Sequence, residues 1–233
     1  MLLLTAGLTG AASFLNSLFW ELDFAILGFY HSVSEAVGAV LSPIMYVISL
    51  TGKGGYLLMA VSIVMMFFKK TRRTGICCLA GIMIGALFTN LTIKPLVQRP
   101  RPYDFDKVNV KLWWESLGRW MDVEHDFSFP SGHVTAAAAG MGAICFMRGR
   151  RWIWPAAGVV LVMMFARNYL MAHFPSDVIA AVLIGVFSAW VAYLITMQIF
   201  AFFSTRKKGD KLADFVMHYN VPVPAWLTYK GKH

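Results

Sequence analysis

Twenty consecutive residues without a formal charge separate Arg73 from Lys94, 21 separate Asp126 from Arg148, and 28 separate Asp177 from Arg206. About 20 predominantly apolar residues carry a helix across the hydrocarbon core of a bilayer, and a helix satisfies its own backbone there. Three membrane spans follow. Charged residues make up 14% of the 233-residue chain, against about 25% in soluble domains, which argues against an ordinary soluble enzyme. Shorter uncharged runs lie between Glu35 and Lys53 (17 residues), Lys53 and Lys69 (15) and Arg151 and Arg167 (15). Each crosses if its flanking cations snorkel to the interface. The expected fold is all-α and polytopic, a six-helix transmembrane bundle with spans near 33–51, 55–68, 75–93, 131–147, 152–167 and 176–203.

The first 20 residues are also uncharged, but they include Thr5, Gly7, Thr9, Gly10, Ser13, Asn16 and Ser17 and lack the basic start of a secretory signal. An N-terminal interfacial helix running to about Phe29 is expected, with a seventh span as the alternative. The chain then divides into an interfacial helix (1–30), the bundle (31–205) and a polar cytoplasmic tail (206–233). Basic residues come in blocks, Lys69 to Arg73, Arg148 to Arg151 and Arg206 to Lys211. All three fall on one side of the expected spans, which the positive-inside rule makes cytoplasmic. Loops 51–54, 94–130 and 168–175 then face out. In the longest, six basic residues match six acidic ones, as suits a translocated segment. Trp113, Trp114 and Trp120 there fit a short helical cap, lying at the headgroup level or packed on the bundle.

A net charge of +9 raises the question of nucleic acid, but cations placed in blocks between apolar runs answer to membrane topology instead. No nucleic-acid partner is expected. Cys77, Cys78 and Cys145 lie inside apolar runs, where a thiol behaves as a small hydrophobe, so neither a disulfide nor a metal site is expected.

Ionisable groups near the membrane mark functional sites, and here they gather at the outer helix ends. Lys94, then six residues, then Arg101-Pro102 places two cations at the exit of the third helix; taken alone, a snorkelling anchor at a helix end is the favoured explanation. Pro130-Ser131-Gly132-His133 opens the fourth helix, with Ser131 as N-cap. Its free N–H groups and dipole favour an anion such as phosphate, though an ordinary capped helix reads the same. Arg167, His173 and Asp177 bridge the loop into the last helix. With Pro175 at the first helical position, Asp177 falls in the first turn, within reach of His173. An aspartate on one ring nitrogen fixes the tautomer and leaves the other free to attack, whereas a satisfied loop histidine is the plainer alternative. His125 and Asp126 read as loop residues, and His31 and His218 have no partner pattern.

Taken together, Lys94-x6-Arg101-Pro102, Pro130-Ser131-Gly132-His133 and Arg167-x5-His173-x3-Asp177 resemble the signature of the PAP2 (type 2 phosphatidic acid phosphatase) superfamily. Ten matched letters at roughly 5% each arise by chance in about 10⁻¹³ of placements. The resemblance implies that Lys94, Arg101 and Arg167 hold the phosphoryl oxygens, helped by Ser131 and the Gly132 N–H. It implies that His173, oriented by Asp177, attacks phosphorus to give a phosphohistidine, with His133 as general acid, no metal and no cofactor. The implied substrate is a lipid phosphate or diphosphate, such as undecaprenyl diphosphate, phosphatidylglycerol phosphate or phosphatidic acid, at the outer face of the plasma or inner membrane. One departure is Ala166, where the family usually has serine. It removes a supporting hydroxyl and leaves nucleophile and acid untouched. A phosphotransferase to a lipid or sugar acceptor would use the same residues. A transporter or scramblase would need polar groups spread along the helices, and these cluster at one end.

Overall fold

The structure, a computed structural model, describes residues 9–105, 109–121 and 123–205, together with Lys211, Asp214, Met217 and Tyr219 of the tail. The first eight residues and most of the expected tail lie outside the described residues. The described residues are helical or loop, with no strand. Eight α-helices follow in order: α1 (Gly10–Gly52), α2 (Tyr56–Met66), α3 (Arg72–Ala86), α4 (Lys94–Val97), α5 (Val110–Ser116), α6 (Gly132–Arg148), α7 (Ile153–Tyr169) and α8 (Pro175–Ser204). Three helical stretches, Gly10–Met66, Arg72–Asp104 and Pro175–Ser204, are long and apolar enough to cross a membrane. At 1.5 Å per residue, the 17 residues of α6 and of α7 each extend about 25 Å.

The first helix departs from expectation. Thr9 caps it, accepting from the Ala12 N–H at 3.1 Å, and it runs unbroken to Gly52, so the boundary expected near residue 30 coincides with no interruption. Its 43 residues extend about 65 Å, twice the hydrocarbon thickness. Asn16 reaches Arg99, Asp23 reaches Ser176, Ser42 reaches Tyr169 and Ser49 reaches Arg167, all residues at the end of the bundle where α7 stops and α8 begins. The descent starts only at Gly52–Tyr56. A Cβ on Gly52 would sit 3.1 Å from the His133 ring, one on Gly55 3.1 Å from Ala136, and one on Gly140 3.5 Å from Leu58, so the chain passes steadily down α6. The expected pair of spans at 33–51 and 55–68 is therefore not seen, and among the described residues α2, α3, α6, α7 and α8 run along the bundle. The uncharged run after Glu35 misled because it is two-faced: Val37, Val40, Ile44 and Val47 are exposed, whereas Ser42, Met45 and Ser49 are buried.

Small residues let the bundle close. A Cβ on Gly185 of α8 would lie 2.6 Å from the Ala138 Cβ and 2.7 Å from the Thr135 carbonyl oxygen, so α6 and α8 pack backbone against backbone, as small-residue helix interfaces allow. At the end remote from His133 the basic residues gather. Arg148 donates to Thr74 Oγ1 (3.0 Å) and the Lys70 carbonyl (2.8 Å), and Arg73 lies 4.7 Å over the Phe200 ring. Arg206, Lys207 and Lys208 of the third block lie outside the described residues. In the loop between α4 and α6, Trp113 stacks on His31 of α1 at 4.8 Å and Trp114 on Tyr103 at 4.6 Å.

Candidate active site

Three chain segments bring the signature residues to one end of the bundle. The first is the exit of α3, where a seven-residue π-helical stretch, Leu87–Ile93, runs into Lys94 and Pro95. Pro95 has no N–H to continue an α-helical ladder, and the widened turn is the kind of helix defect that recurs at functional sites. It leaves Lys94 buried. Arg101 follows in extended backbone, its guanidinium 1% exposed as a residue and turned inward.

The second segment is the start of α6. Ser131 occupies the N-cap position, yet its hydroxyl makes no capping bond. It is buried and has no partner among the described residues, a costly condition that an incoming acceptor or donor relieves. His133 follows in the first turn, with Nδ1 3.9 Å from Glu124 Oε1. The third segment joins α7 to α8. Arg167 is fully buried and donates from Nη1 to Ser49 Oγ (2.5 Å) and from Nη2 to Glu124 Oε1 (2.7 Å). Ala166 beside it belongs to an apolar cluster with Met45, Leu117, Tyr169 and Leu170, so the missing hydroxyl would have faced hydrocarbon side chains.

His173 is 1% exposed. Its Nδ1 lies 2.8 Å from the Ser128 carbonyl oxygen, which makes Nδ1 the protonated nitrogen and leaves Nε2 as the unprotonated one, 3.4 Å from Arg101 Nη1. The expected partner, Asp177, stands off at 3.7 Å. Its Oδ2 instead accepts the Ser128 hydroxyl and the Phe174 N–H (2.9 Å). Asp177 thus fixes the two backbone segments that fix the ring. Burial, with Arg101, Arg167 and Lys94 facing it, holds the His173 imidazole well below the ordinary histidine range, against the opposing pull of the Ser128 carbonyl. The ring is neutral and its free nitrogen faces the cations.

Two carboxylates missed by sequence reasoning occupy the middle of this arrangement. Asp126 pairs with both Lys94 and Arg101, and Glu124 bridges Arg167 to Arg101, whose Nη2 is 3.6 Å from Glu124 Oε2. Burial raises the Asp126 carboxyl, but Lys94 and Arg101 outweigh it and keep the group below the usual carboxylate range. In sequence, Glu124 is one of six acidic charges that balance the loop 94–130, and Asp126 reads as a loop residue outside the motifs. Arg99, which with Pro100 repeats the Arg-Pro pair of Arg101-Pro102, lies outside the ten matched letters. Among the described residues no cluster of three His, Cys, Asp or Glu side chains is placed to hold a metal ion.

Two imidazoles within a ring of buried cations, at one end of an apolar helical bundle, outline a membrane-embedded phosphatase. The PAP2 superfamily model matches residues 75–201, more than half of the chain, and the chain belongs to that superfamily of phosphatases. It is 27% identical over 157 residues to an undecaprenyl-diphosphatase of Sulfolobus acidocaldarius, covering 67% of this chain and 69% of the relative. It is 30% identical over 161 residues to a lipid A 4'-phosphatase of Bacteroides thetaiotaomicron (65% and 68%), and 28% identical over 171 residues to the undecaprenyl-diphosphatase BcrC of Bacillus subtilis (72% and 78%). The fold is similar to that of a transmembrane PAP2-type phosphatidylglycerolphosphate phosphatase from Bacillus subtilis, with TM-score 0.54, 21% identity and coverage of 78% of this chain and 94% of that one. It is also similar to LpxE of Aquifex aeolicus, with TM-score 0.55, 22% identity and coverage of 71% and 93%.

Proposed function

We propose that the protein removes phosphate from a lipid phosphate or diphosphate at the extracytoplasmic face of the cell membrane, through a phosphohistidine at His173. The observation that carries this reading is the His173 ring itself, its Nδ1 on the Ser128 carbonyl and its Nε2 facing Arg101. Lys94, Arg101 and Arg167 supply three preorganised cations for the oxygens of the phosphoryl transition state, the part that metal ions play elsewhere. Ser131 Oγ and the Gly132 N–H complete the seat. The same positive potential disfavours a divalent metal there, so the chemistry is metal-independent.

His173 Nε2 attacks phosphorus in line, forming the N–P bond as the P–O bond to the leaving group breaks. His133 protonates the departing oxygen. Water then attacks phosphorus, His133 takes its proton, and the N–P bond breaks to release inorganic phosphate and restore the neutral imidazole. The relatives named for undecaprenyl diphosphate and lipid A support a phosphorylated membrane lipid as the substrate. The basic residues at the opposite bundle end support an outward-facing site. Residues 10–51 then lie along the outer interface over the site, with α5 and the short turn to Trp120 as a small cap. The test is phosphate release by detergent-purified protein from undecaprenyl diphosphate, phosphatidylglycerol phosphate and phosphatidic acid, beside His173→Ala. If that variant released phosphate as fast as the parent, His173 would not be the nucleophile.

A further inference from the structure

Arg99 is fully buried and points away from the phosphate seat. Its Nε donates to Asn16 Oδ1 (2.9 Å), Nη1 to Ser176 Oγ (2.7 Å) and Asp177 Oδ1 (2.5 Å), and Nη2 to Asp23 Oδ2 (2.8 Å). The Phe174 ring lies 4.0 Å beneath the guanidinium. Asp23 also accepts from the Ser176 N–H (2.8 Å) and hydroxyl (2.6 Å). Asp23, Arg99 and Asp177 side chains are all 0% exposed, a degree of burial that charged groups tolerate only when fully paired.

The chain of contacts ends on the nucleophile. Asp177 holds Ser128 and Phe174, and these flank His173 (Ser128 by its carbonyl on Nδ1). Arg99 holds the other oxygen of Asp177, and Asp23 holds Arg99. Arg99 also accepts the Ser128 N–H on its own carbonyl at 2.8 Å, so one residue grips both ends of the support. Asp23 and Asn16 belong to α1, outside the matched segment 75–201.

We infer that Asp23 and Arg99 are positioning residues of the catalytic centre: α1 contributes a carboxylate that orients Arg99, which orients Asp177 and, through Ser128, the attacking nitrogen of His173. The inference rests on the phosphohistidine reading. Its two carboxylates and one guanidinium leave one net negative charge on the protonated side of the ring, which favours the imidazole as phosphorylation makes it cationic.

The test uses Asp23→Asn and Arg99→Lys in the full chain, purified in detergent, with farnesyl diphosphate as substrate and inorganic phosphate as the competing ligand of the seat. Misplacement of a reacting group by about 1 Å costs on the order of 10²-fold, so kcat is expected to fall about tenfold to a hundredfold in both variants. KM and the inhibition constant of inorganic phosphate should stay within about twofold, because the seat cations are untouched. Asn16→Ala, which removes one acceptor from Arg99 and is milder on folding, should lower kcat about threefold with the same split. Unchanged kcat in folded Asp23→Asn overturns the inference, and so does a parallel loss of phosphate binding, which marks a merely structural role. Should the two ion-pair variants not fold, unchanged kcat in Asn16→Ala overturns it alone. A His173→Ala variant that keeps the parent rate refutes the phosphohistidine reading instead, whatever Asp23→Asn does.

Discussion

Replacing Glu124 by glutamine probes the seat most directly. Glu124 Oε1 accepts from Arg167 Nη2 at 2.7 Å, and its side chain is 20% exposed, so it is a largely buried internal anion. A phosphate that takes the Arg167 and Arg101 donors must first release it. A hydrogen bond between charged partners contributes about 1.5–3 kcal/mol and a neutral one about 0.5–1.5 kcal/mol. Glutamine keeps the shape and loses the charge, weakening the competitor by about 1 kcal/mol after allowance for its exposure. With tenfold per 1.4 kcal/mol, inorganic phosphate should inhibit Glu124→Gln at about fivefold lower concentration than the parent. The assay is the phosphate inhibition constant for lipid phosphate turnover in detergent, at one pH and one ionic strength. An unchanged or weaker inhibition constant would show that Glu124 assists the bound anion instead of competing with it, and the reasoning fails.

His173→Ala and His133→Ala should each lower kcat by at least about 10³-fold at preserved expression, measured as phosphate release under single-turnover conditions. EDTA should leave turnover unchanged; loss of activity restored by a divalent cation would refute the metal-independent mechanism. Because the folded His173 value lies below the unfolded value of about 6.5, the unfolded chain takes the proton first. The neutral nucleophile therefore persists in acid while folding stability declines as pH falls through that value. After correction for substrate titration, kcat/KM should show no limb near pH 6.5; a midpoint there would place His173 in the ordinary range. Gly185→Val should destabilise by about 1–3 kcal/mol through overpacking against Ala138 and Thr135, read as a lower thermal unfolding midpoint in detergent.

The helical class and the meeting of Lys94, Arg101, His133, Arg167, His173 and Asp177 were legible because charge-free runs and ten fixed letters are local properties. The path of α1 was not. Seventeen uncharged residues after Glu35 fit a span by length, and only the partners of Ser42 and Ser49, Tyr169 and Arg167, reveal a helix laid over the site. The His173 support was half legible: spacing put Asp177 in the first turn of α8, but the hydrogen bond to Nδ1 comes from the Ser128 carbonyl, a backbone group that any residue supplies. Glu124, Asp126 and Asp23 were invisible for another reason. Their arginine partners lie 23 or more positions away, and an acidic residue in a charge-balanced loop or on an apolar helix carries no mark of the cation it will meet.

Three buried cations at the edge of hydrocarbon are costly without counter-charge, and Glu124 and Asp126 provide two negative charges in the resting state. A phosphate monoester brings the same number. Exchanging internal for external dianion changes the net charge of the seat little, so the large desolvation terms of the two states largely cancel. What then decides binding is geometry and the tail. Lys94 and Arg101 from the segment after α3 and Arg167 from the end of α7 converge on one volume, which a tetrahedral anion fills with more simultaneous donors than two carboxylates on a single loop can. The apolar part of the substrate remains in the bilayer it already occupies and loses little on docking. On this account a free phosphate, having no such anchor, competes poorly with the loop, and hydrolysis itself drives the carboxylates back as the product leaves.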